Sequence, residues 1–331
     1  MKKLINEVDN IVDEMLNGMV AAYPNYIKRL EGLDVVVRAG GSEGKVALVS
    51  GGGSGHEPAH GGYVGKGMLD GAVAGAVFTS PTPDQVYEAI KAANGGKGVL
   101  LVIKNYTGDV MNFEMAADMA ADDGIEVDKV VVADDVAVEN STWTTGRRGI
   151  AGTIFVHKLA GACAEAGGDL KEVKRIAEKV IANVRSMGMA VDACTVPAAG
   201  KPSFDLAEDE IEIGIGIHGE PGVNREKISS VNDISDKLLG KILEEGIYNS
   251  GDEVAVMVNG MGGTPLMELF VANKHIKEVL DGKGIKICKT LVGNYMTSLD
   301  MEGFSITLLK VDDEMKKLLN APADTPAFVQ V

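Results

Sequence analysis

The sequence predicts an α/β fold with two α/β domains, each with a largely parallel or mixed central sheet flanked by helices. Short apolar runs rich in β-branched residues alternate with longer amphipathic segments, which is typical of this class. The chain has 331 residues, which is enough for two domains of ordinary size. Because the residue pattern changes near residue 185, we predict an N-terminal domain over residues 1–185 and a C-terminal domain over residues 186–331.

The first predicted domain opens with an amphipathic helix, since apolar residues recur at helical spacing from Leu4 to Met19 before Pro24. A later helix has its N-cap at Thr82, with Pro83 as its first residue. The predicted strands are residues 35–37, 46–49, 99–103 and 130–132, and the predicted helices after the first are residues 83–93, 110–121, 153–166 and 170–184.

The second predicted domain has strands and helices of its own. Its strands are residues 190–196, 211–217, 254–259, 285–292 and 304–309, and its helices are residues 234–245 and 265–280. In the first domain, strand, loop and helix follow one another in turn, which predicts parallel strands. Ligands of open parallel sheets bind at the carboxyl ends of the strands, so functional residues are expected there.

A glycine-rich segment at residues 50–62 directly follows one of the predicted strands. Six of its thirteen residues are glycine, and it also contains His56 and His60. Glycine allows the backbone to approach a ligand closely, so this segment is more typical of a binding site than of a plain turn. Ser80 and the segment from Lys104 to Asp109 also follow apolar runs, which places them at the same edge of the predicted sheet.

Two familiar patterns occur in an unfavourable context. His56 and His60 have the spacing of a zinc protease helix, but Pro58 and the glycines after His60 oppose a helix, so we predict no metal site. The glycines at 214, 216 and 219 match a dinucleotide fingerprint, yet Pro221 stands where its helix would begin. No phosphate-binding P-loop pattern is present, so an independent ATP site is not expected.

Three further features allow both a structural and a functional interpretation. A lone histidine near a strand end, such as His218, is usually structural, but next to Gly219 and Glu220 an unprotonated imidazole could attack a carbonyl ligand. Lys104 and Asp109 form either a solvated ion pair or part of a site. The glycine turn at residues 259–265 either binds an anion at a helix N-terminus or only shapes a turn or an interface.

Composition excludes several classes of function. The net charge is −16, which argues against nucleic acid as a partner because phosphate binding requires clustered Lys and Arg. The three cysteines are widely spaced, which fits reduced core thiols rather than disulfides or a metal site. We find neither a signal peptide nor a run of about 18 apolar residues that could cross a membrane. A cytoplasmic protein is therefore expected.

Three separated motifs carry a resemblance to a known family over the whole chain. The sequence resembles the dihydroxyacetone-binding K subunit of dihydroxyacetone kinases that depend on the phosphotransferase system. The motifs are Gly51-Gly52-Gly53-Ser54-Gly55-His56-Glu57-Pro58, Lys104-Asn105-Tyr106-Thr107-Gly108-Asp109 and Gly214-Ile215-Gly216-Ile217-His218-Gly219-Glu220. Their presence in the right order makes the resemblance specific.

The resemblance implies a role for each site residue. His218 would form a covalent hemiaminal with the ketone carbon of dihydroxyacetone, and His56 and Asp109 would be the other catalytic residues. The resemblance also implies which residues contact the hydroxyl groups of the substrate. These are Gly53, Ser54, Gly55, His56, Ser80, Lys104 and Asp109. The implied product is dihydroxyacetone phosphate.

The resemblance also implies partners. We expect a homodimer that binds no nucleotide itself, because ATP-dependent relatives carry an additional C-terminal nucleotide-binding domain that this sequence lacks. ADP or ATP and Mg²⁺ would then belong to a separate L-type subunit, which an M-type phosphotransferase-system subunit would serve as phosphoryl donor. Some paralogues bind the ketone but act as co-activators of transcription regulators. A sensor of that kind is the alternative function, and the presence of all three catalytic residues favours the kinase subunit.

Overall fold

The structure is a computed structural model, and it describes residues 2–139 and 144–331. The chain forms two compact units. The first unit consists of Lys2–Val132, Thr153–Val180 and Lys317–Val331, and the second of Ala133–Gly152 and Ile181–Lys316. Each unit is built around a six-stranded sheet with helices, which confirms the predicted α/β class. The division at residue 185 stays a prediction, and each unit draws on more than one stretch of the chain.

The first unit contains a mixed sheet with a parallel centre. Its strand order is β1-β2-β4-β3-β5-β6, in which β4, β3, β5 and β6 are parallel and β1 and β2 form an antiparallel edge. The strands are β1 (Ile27–Arg29), β2 (Val35–Arg38), β3 (Ala47–Ser54), β4 (Gly71–Val77), β5 (Val99–Lys104) and β6 (Val127–Val132). All residues of β3 and β5 are buried, as expected for central strands covered on both faces.

Among the described residues, six α-helices belong wholly or in part to the first unit. They are α1 (Ile11–Ala22), α2 (Pro83–Ala93), α3 (Thr107–Asp122), α4 (Thr153–Glu165), α5 (Leu170–Asn183, of which the last three residues belong to the second unit) and α8 (Asp313–Leu319, which starts in the second unit). Helices α1 to α4 contact the sheet of this unit. Ile90 of α2 and Phe113 of α3 share one apolar core with Val49 of β3 and Leu101 of β5. Helix α4 packs on the same two strands and is buried along nearly its whole length. A short hairpin, β13 (Ala323–Asp324) with β14 (Val329–Gln330), completes the unit.

The second unit contains a mostly antiparallel sheet. Its strand order is β11-β10-β12-β7-β8-β9, and only β10 and β11 are parallel. The strands are β7 (Val184–Asp192), β8 (Glu210–Ile213), β9 (Asn224–Lys227), β10 (Glu253–Gly260), β11 (Lys286–Gly293) and β12 (Glu302–Val311), and the helices are α6 (Val231–Leu243) and α7 (Leu266–Gly282). Apolar residues of both helices pack on the sheet in a single core.

Several predicted boundaries were wrong, and three of these errors concern the site. Strand β3 runs on to Ser54, so the first five of the thirteen residues in the predicted glycine segment are strand. Helix α3 begins at Thr107, three residues early, which places Asp109 in its first turn. Strand β8 ends at Ile213 rather than at 217, so His218 lies in a turn beyond it. In each case the contacts of the backbone, not the hydrophobic pattern, determine where the element ends.

The first helix was also predicted too long. Helix α1 starts at Ile11, after a short 3-10 turn at Val8–Asn10, and Leu4 is fully exposed. The predicted N-cap at Thr82 is confirmed, and Pro83 is the first residue of α2.

The three cysteines are free thiols. In the described part of the chain, no helix combines the length and the apolar character that a membrane span would need.

Candidate active-site residues in the two units

The glycines of β3 are required by close neighbours on both sides of the strand. A Cβ on Gly51 would lie 2.5 Å from the carbonyl oxygen of Val73, and one on Gly53 would lie 2.6 Å from the amide nitrogen of Thr79. At Gly52 a Cβ would lie 2.4 Å from Nζ of Lys104. Side chains are therefore excluded where β3 meets β4 and where Lys104 crosses the strand.

Lys104, the last residue of β5, carries a buried ammonium group. Its side chain is 0% exposed, and Nζ lies 3.5 Å from Oδ2 of Asp109. Nζ also lies 3.3 Å from the carbonyl oxygen of Gly51 and 3.2 Å from Nε2 of His60. A charge this deep in a protein is tolerated only with partners of this kind. The structure thus unites two of the predicted site residues, Lys104 and Asp109, in a buried ion pair.

Asp109 is held by the start of α3. Its side chain is 4% exposed and lies in the first turn of the helix, where the partial positive charge of the helix N-terminus favours a carboxylate. Only two residues separate the end of β5 from the beginning of α3, so Lys104 and Asp109 are held close together by adjoining elements. An acceptor oxygen at a sheet edge, next to a cation, is suited to receive a proton from a substrate hydroxyl group.

Behind Lys104 lies a pair of buried histidines. Nδ1 of His60 is 3.0 Å from Nε2 of His157, which projects from α4. An ammonium group has only hydrogen-bond donors, so Nε2 of His60 accepts a hydrogen bond from Lys104. The proton of the His60 ring is then on Nδ1, which donates a hydrogen bond to Nε2 of His157. Burial, and then the charge of Lys104, lower the pKa of His60 far below its usual value and that of His157 to about 3. Both rings are therefore neutral at physiological pH.

His56 lies in a series of turns rather than on a helix. Residues 55–60 form bends and turns, followed by a 3-10 helix at Gly61–Tyr63, so the helix that the zinc-protease spacing requires is not formed. The buried ring of His56 stacks on Phe78 at 5.2 Å between centroids. Over residues 2–139 and 144–331, no three His, Cys, Asp or Glu side chains are grouped so that they could hold a metal ion.

The other predicted binding residues of the first unit border the same edge of the sheet. Ser54 donates a hydrogen bond to the carbonyl oxygen of Gly75 at 2.7 Å, and Gly55 donates its amide to Glu57. A Cβ on Gly108 would lie 2.7 Å from Oγ of Ser80, which places Ser80 beside the first turn of α3. The carboxyl ends of β3, β4 and β5 thus bring these residues to the Lys104–Asp109 pair.

His218 lies in the second unit, in the turn between β8 and β9. Its backbone amide donates to Oε2 of Glu220 at 2.8 Å, and Nδ1 of its ring lies 3.1 Å from Oε1 of the same carboxylate. Glu220 is buried, whereas the ring of His218 keeps 17% exposure. The turn therefore presents an imidazole that is held from one side by a buried carboxylate.

A fully buried arginine lies next to Glu220. Arg148 donates from Nε to Oδ2 of Asp135 at 2.7 Å and from Nη2 to the carbonyl oxygen of Gly214 at 2.7 Å. Burial opposes ionisation of Glu220, but its hydrogen bond to His218 and the charge of Arg148 lower its pKa to about 2. Arg148, Asp135 and His157 were not singled out in the sequence analysis. Arg148 and Asp135 stand beside a second residue of the same charge, and His157 is a lone imidazole in an apolar helix, so neither context carries a distinctive pattern.

The two remaining glycine motifs are turns. The next element after Gly219 is the strand β9 and not a helix, so the dinucleotide pattern at residues 214–219 has no dinucleotide geometry. In the 259–265 turn, Asn259 is buried and donates to the carbonyl oxygen of Met296 at 2.7 Å, while its Oδ1 accepts from the amides of Tyr295 and Met296. These bonds support the interpretation of residues 259–265 as a shaped turn.

The comparisons with known proteins agree over the full length of the chain. Residues 17–327 match the Dak1 domain. The chain is 56% identical over 329 residues to the dihydroxyacetone-binding subunit of PTS-dependent dihydroxyacetone kinase 1 of Listeria innocua, covering 99% of this chain and 100% of that relative.

Two solved structures are similar in fold and in sequence. A co-activator of a dihydroxyacetone kinase operon superposes with a TM-score of 0.92 at 38% identity, covering 98% of this chain and 99% of that one. The dihydroxyacetone kinase of C. freundii, in complex with AMP-PNP and Mg²⁺, superposes with a TM-score of 0.90 at 36% identity, covering 99% of this chain and 61% of that one.

Proposed function

Since this chain belongs to the Dak1 family of dihydroxyacetone kinases, we propose that it is the subunit that captures dihydroxyacetone covalently and presents it for phosphorylation. The observation that carries the proposal is the buried Lys104–Asp109 pair at the glycine-lined edge of the first sheet. A cation and a carboxylate held beside three consecutive glycines of β3, Gly51–Gly53, suit a small polyhydroxy ligand.

The first step of the proposed reaction is capture of the ketone. The Nε2 lone pair of His218 forms a bond to C2 of dihydroxyacetone, and the π electrons of the carbonyl move to its oxygen. That oxygen takes up a proton, and the ring gives up its proton from Nδ1. The product is a hemiaminal. Glycerol has no carbonyl group and cannot form it, so covalent capture discriminates between the two where hydroxyl contacts would not.

The second step is transfer of a phosphoryl group to the terminal hydroxyl. Asp109 accepts the hydroxyl proton, Lys104 orients the oxygen, and His56 polarises the reacting centre. Gly53, Ser54, Gly55 and Ser80 supply the remaining contacts to the substrate hydroxyl groups. General base help of this kind contributes about 10²–10⁴-fold in rate. The product is dihydroxyacetone phosphate.

The donor belongs to partners in this proposal. An L-type subunit binds ADP or ATP with Mg²⁺, and an M-type subunit of the phosphotransferase system supplies its phosphoryl group. The name of the Listeria innocua relative, a binding subunit of a PTS-dependent kinase, supports this arrangement. The chain acts as a cytoplasmic homodimer, and the exposed apolar residues at the start of α7 support the dimer: Leu266, Met267, Phe270 and Val271.

An isotope experiment tests the two steps separately. With [2-¹³C]dihydroxyacetone and chain labelled with ¹⁵N-histidine, we expect a protein-bound tetrahedral carbon that is coupled to a ring nitrogen of His218. Asp109→Asn should keep this adduct and lower turnover with purified L- and M-type subunits by about 10²–10⁴-fold. A wild-type chain without the coupled carbon, or an Asp109→Asn chain with normal turnover, would contradict the proposal.

A second candidate function is a ketone-binding co-activator of transcription, and the similarity to the operon co-activator favours it. The two functions differ in their need for Asp109. Phosphorylation in the presence of L- and M-type subunits supports the kinase. Adduct formation with no turnover, together with ketone-dependent binding to a regulator, would instead support the co-activator.

A further inference from the structure

We infer that Glu220 is a positioning residue that selects Nε2 of His218 as the nucleophile. The inference rests on the proposed covalent capture and adds to it the group that prepares the imidazole. It concerns only residues of the second unit, namely Glu220, His218, Arg148 and the backbone around Gly216.

The geometry around Glu220 determines which nitrogen of His218 carries the proton. One carboxylate oxygen accepts from the backbone amide of His218 at 2.8 Å, and the other lies 3.1 Å from Nδ1 of the same residue. An ionised carboxylate can only accept hydrogen bonds, so the neutral ring carries its proton on Nδ1. Nε2 then keeps the lone pair that attack on a carbonyl requires.

The surroundings of Glu220 keep it ionised and fixed in place. The side chain is 3% exposed, and the neighbouring guanidinium of Arg148 favours the carboxylate form. A Cβ on Gly216 would lie 2.0 Å from Oε2 of Glu220 and 2.7 Å from Nη1 of Arg148. The carboxylate and the guanidinium therefore occupy the space that a side chain at residue 216 would need. Glycine at this position leaves room for both groups.

The arrangement also suits the charge that develops during capture. When Nε2 bonds to the ketone carbon, the ring becomes cationic while the former carbonyl oxygen becomes an alkoxide. The alkoxide takes up a proton, and Nδ1 gives up its own along the hydrogen bond to Glu220 and from there to solvent. The atoms and charges then balance at a neutral hemiaminal. A buried carboxylate at Nδ1 stabilises the cationic ring before this proton leaves.

Glu220→Gln separates the role in tautomer selection from a role in packing. The amide has the same shape, but only one oxygen. If that oxygen accepts from the backbone amide of His218, the NH₂ group faces Nδ1 and donates to it, which moves the ring proton to Nε2. We expect the rate of adduct formation with dihydroxyacetone to fall by about 10²–10⁴-fold, as for a wrong histidine tautomer in a catalytic triad.

Glu212→Gln is the matched control. Glu212 accepts from the amide of Gly222 at 2.9 Å, so it holds the same turn, but neither its hydrogen bond nor its ion pair with Arg225 involves His218. This variant should form the adduct within a few-fold of the wild-type rate. A large loss in both variants would show that the turn needs support in general, and would overturn the specific role of Glu220.

A second readout does not depend on the ketone. The ¹⁵N shifts of His218 in the unliganded, full-length chain, assigned by comparison with His218→Asn, should show the Nδ1–H tautomer in the wild type and the Nε2–H tautomer in Glu220→Gln. An unchanged tautomer, or a Glu220→Gln adduct rate within about threefold of wild type, overturns the inference. If the wild type forms no adduct, the proposed function fails, and the tautomer readout still decides the role of Glu220.

Discussion

At the scale of single residues, the candidate site is defined by charges that are buried together with their partners. Lys104 lies against Asp109 and His60, and Arg148 lies against Asp135 in the other unit. Breaking a buried pair by removing one partner typically costs about 3–5 kcal/mol, because the other charge is left without compensation. These groups are therefore held firmly in the geometry that the proposed chemistry uses.

The buried histidine pair makes stability depend on pH. The folded-state pKa of His157 is about 3, against 6.5 ordinarily, and that of His60 is lowered as well. Between pH 3 and pH 6.5, His157 is protonated in the unfolded chain but not in the folded chain. The free energy of unfolding therefore falls as the pH falls from 6.5 towards 3. Each histidine contributes up to about 1.4 kcal/mol per pH unit to this loss.

Replacing His157 tests this prediction. His157→Gln keeps a side-chain acceptor for His60 and removes one titrating group. Urea unfolding of both chains over a pH series should show that the wild type loses stability more steeply below about pH 6. Between about pH 7 and 8, where neither state of His157 titrates, the two chains should respond alike. Parallel curves throughout the series would mean that His157 is not buried in a neutral form.

At the scale of elements, the candidate residues of the first unit lie at the carboxyl edge of its sheet and at the start of α3. Strand β3 carries three consecutive glycines through the centre of this sheet, although glycine weakens a strand. The contacts explain this, since each of the three positions lies against backbone or against Lys104. The glycines make the strand less stable, but they leave space for Lys104 and for the neighbouring backbone.

Gly52 and Gly18 form a matched pair for testing this interpretation. Gly52 has φ of +154°, and a Cβ there would lie 2.4 Å from Nζ of Lys104, so Gly52→Ala should displace the lysine and destabilise the fold by about 1–3 kcal/mol. Gly18, within α1, has nothing within 4 Å of such a Cβ. Gly18→Ala should therefore stabilise the chain by about 0.5–1 kcal/mol.

Thermal unfolding and adduct formation give the two measurements for this pair. We expect Gly52→Ala to lose both stability and ketone capture, whereas Gly18→Ala keeps capture unchanged. A stable Gly52→Ala chain with normal capture would show that Lys104 can move away without consequence for the site.

At the scale of the whole molecule, the proposed reaction needs a donor held by another protein. The net charge of −16 favours partners with basic contact surfaces. The apolar residues at the start of α7 have a different character: Phe270 is 54% exposed and Met267 71%. Apolar side chains exposed side by side on one helix are typical of an interface between proteins, and we propose that this one forms the homodimer.

Charged substitutions on α7 test the dimer. Phe270→Glu should shift the mass measured by light scattering from dimer to monomer, because a carboxylate cannot be buried unpaired in an apolar interface. Met115→Glu is the control, since Met115 lies on α3 and is exposed to a similar extent, 53%. A wild-type monomer, or a dimer that survives Phe270→Glu, would contradict the assignment of this face.

The order and type of most elements could be predicted because hydrophobic periodicity and capping are local properties. Residues 83–93 and 99–103 were predicted within a residue of α2 and β5. The ends of β3, α3 and β8 could not be predicted, since they depend on which strand or side chain lies alongside. The short strands β1 and β9 were missed because their sequences, Ile-Lys-Arg and Asn-Arg-Glu-Lys, show no apolar run.

The sequence by itself determined the α/β class, the family and the three motifs that carry the candidate residues. These features depend only on which residues occur and at what spacing. Only the tertiary structure decided which partners surround those residues. Lys104 meets His60 across 44 positions of the chain, and His60 meets His157 across 97. Such contacts depend on strand register and on the packing of α4. Spacing cannot reveal them, and neither can it reveal Arg148 beside Glu220, because burial and distance exist only in the folded chain.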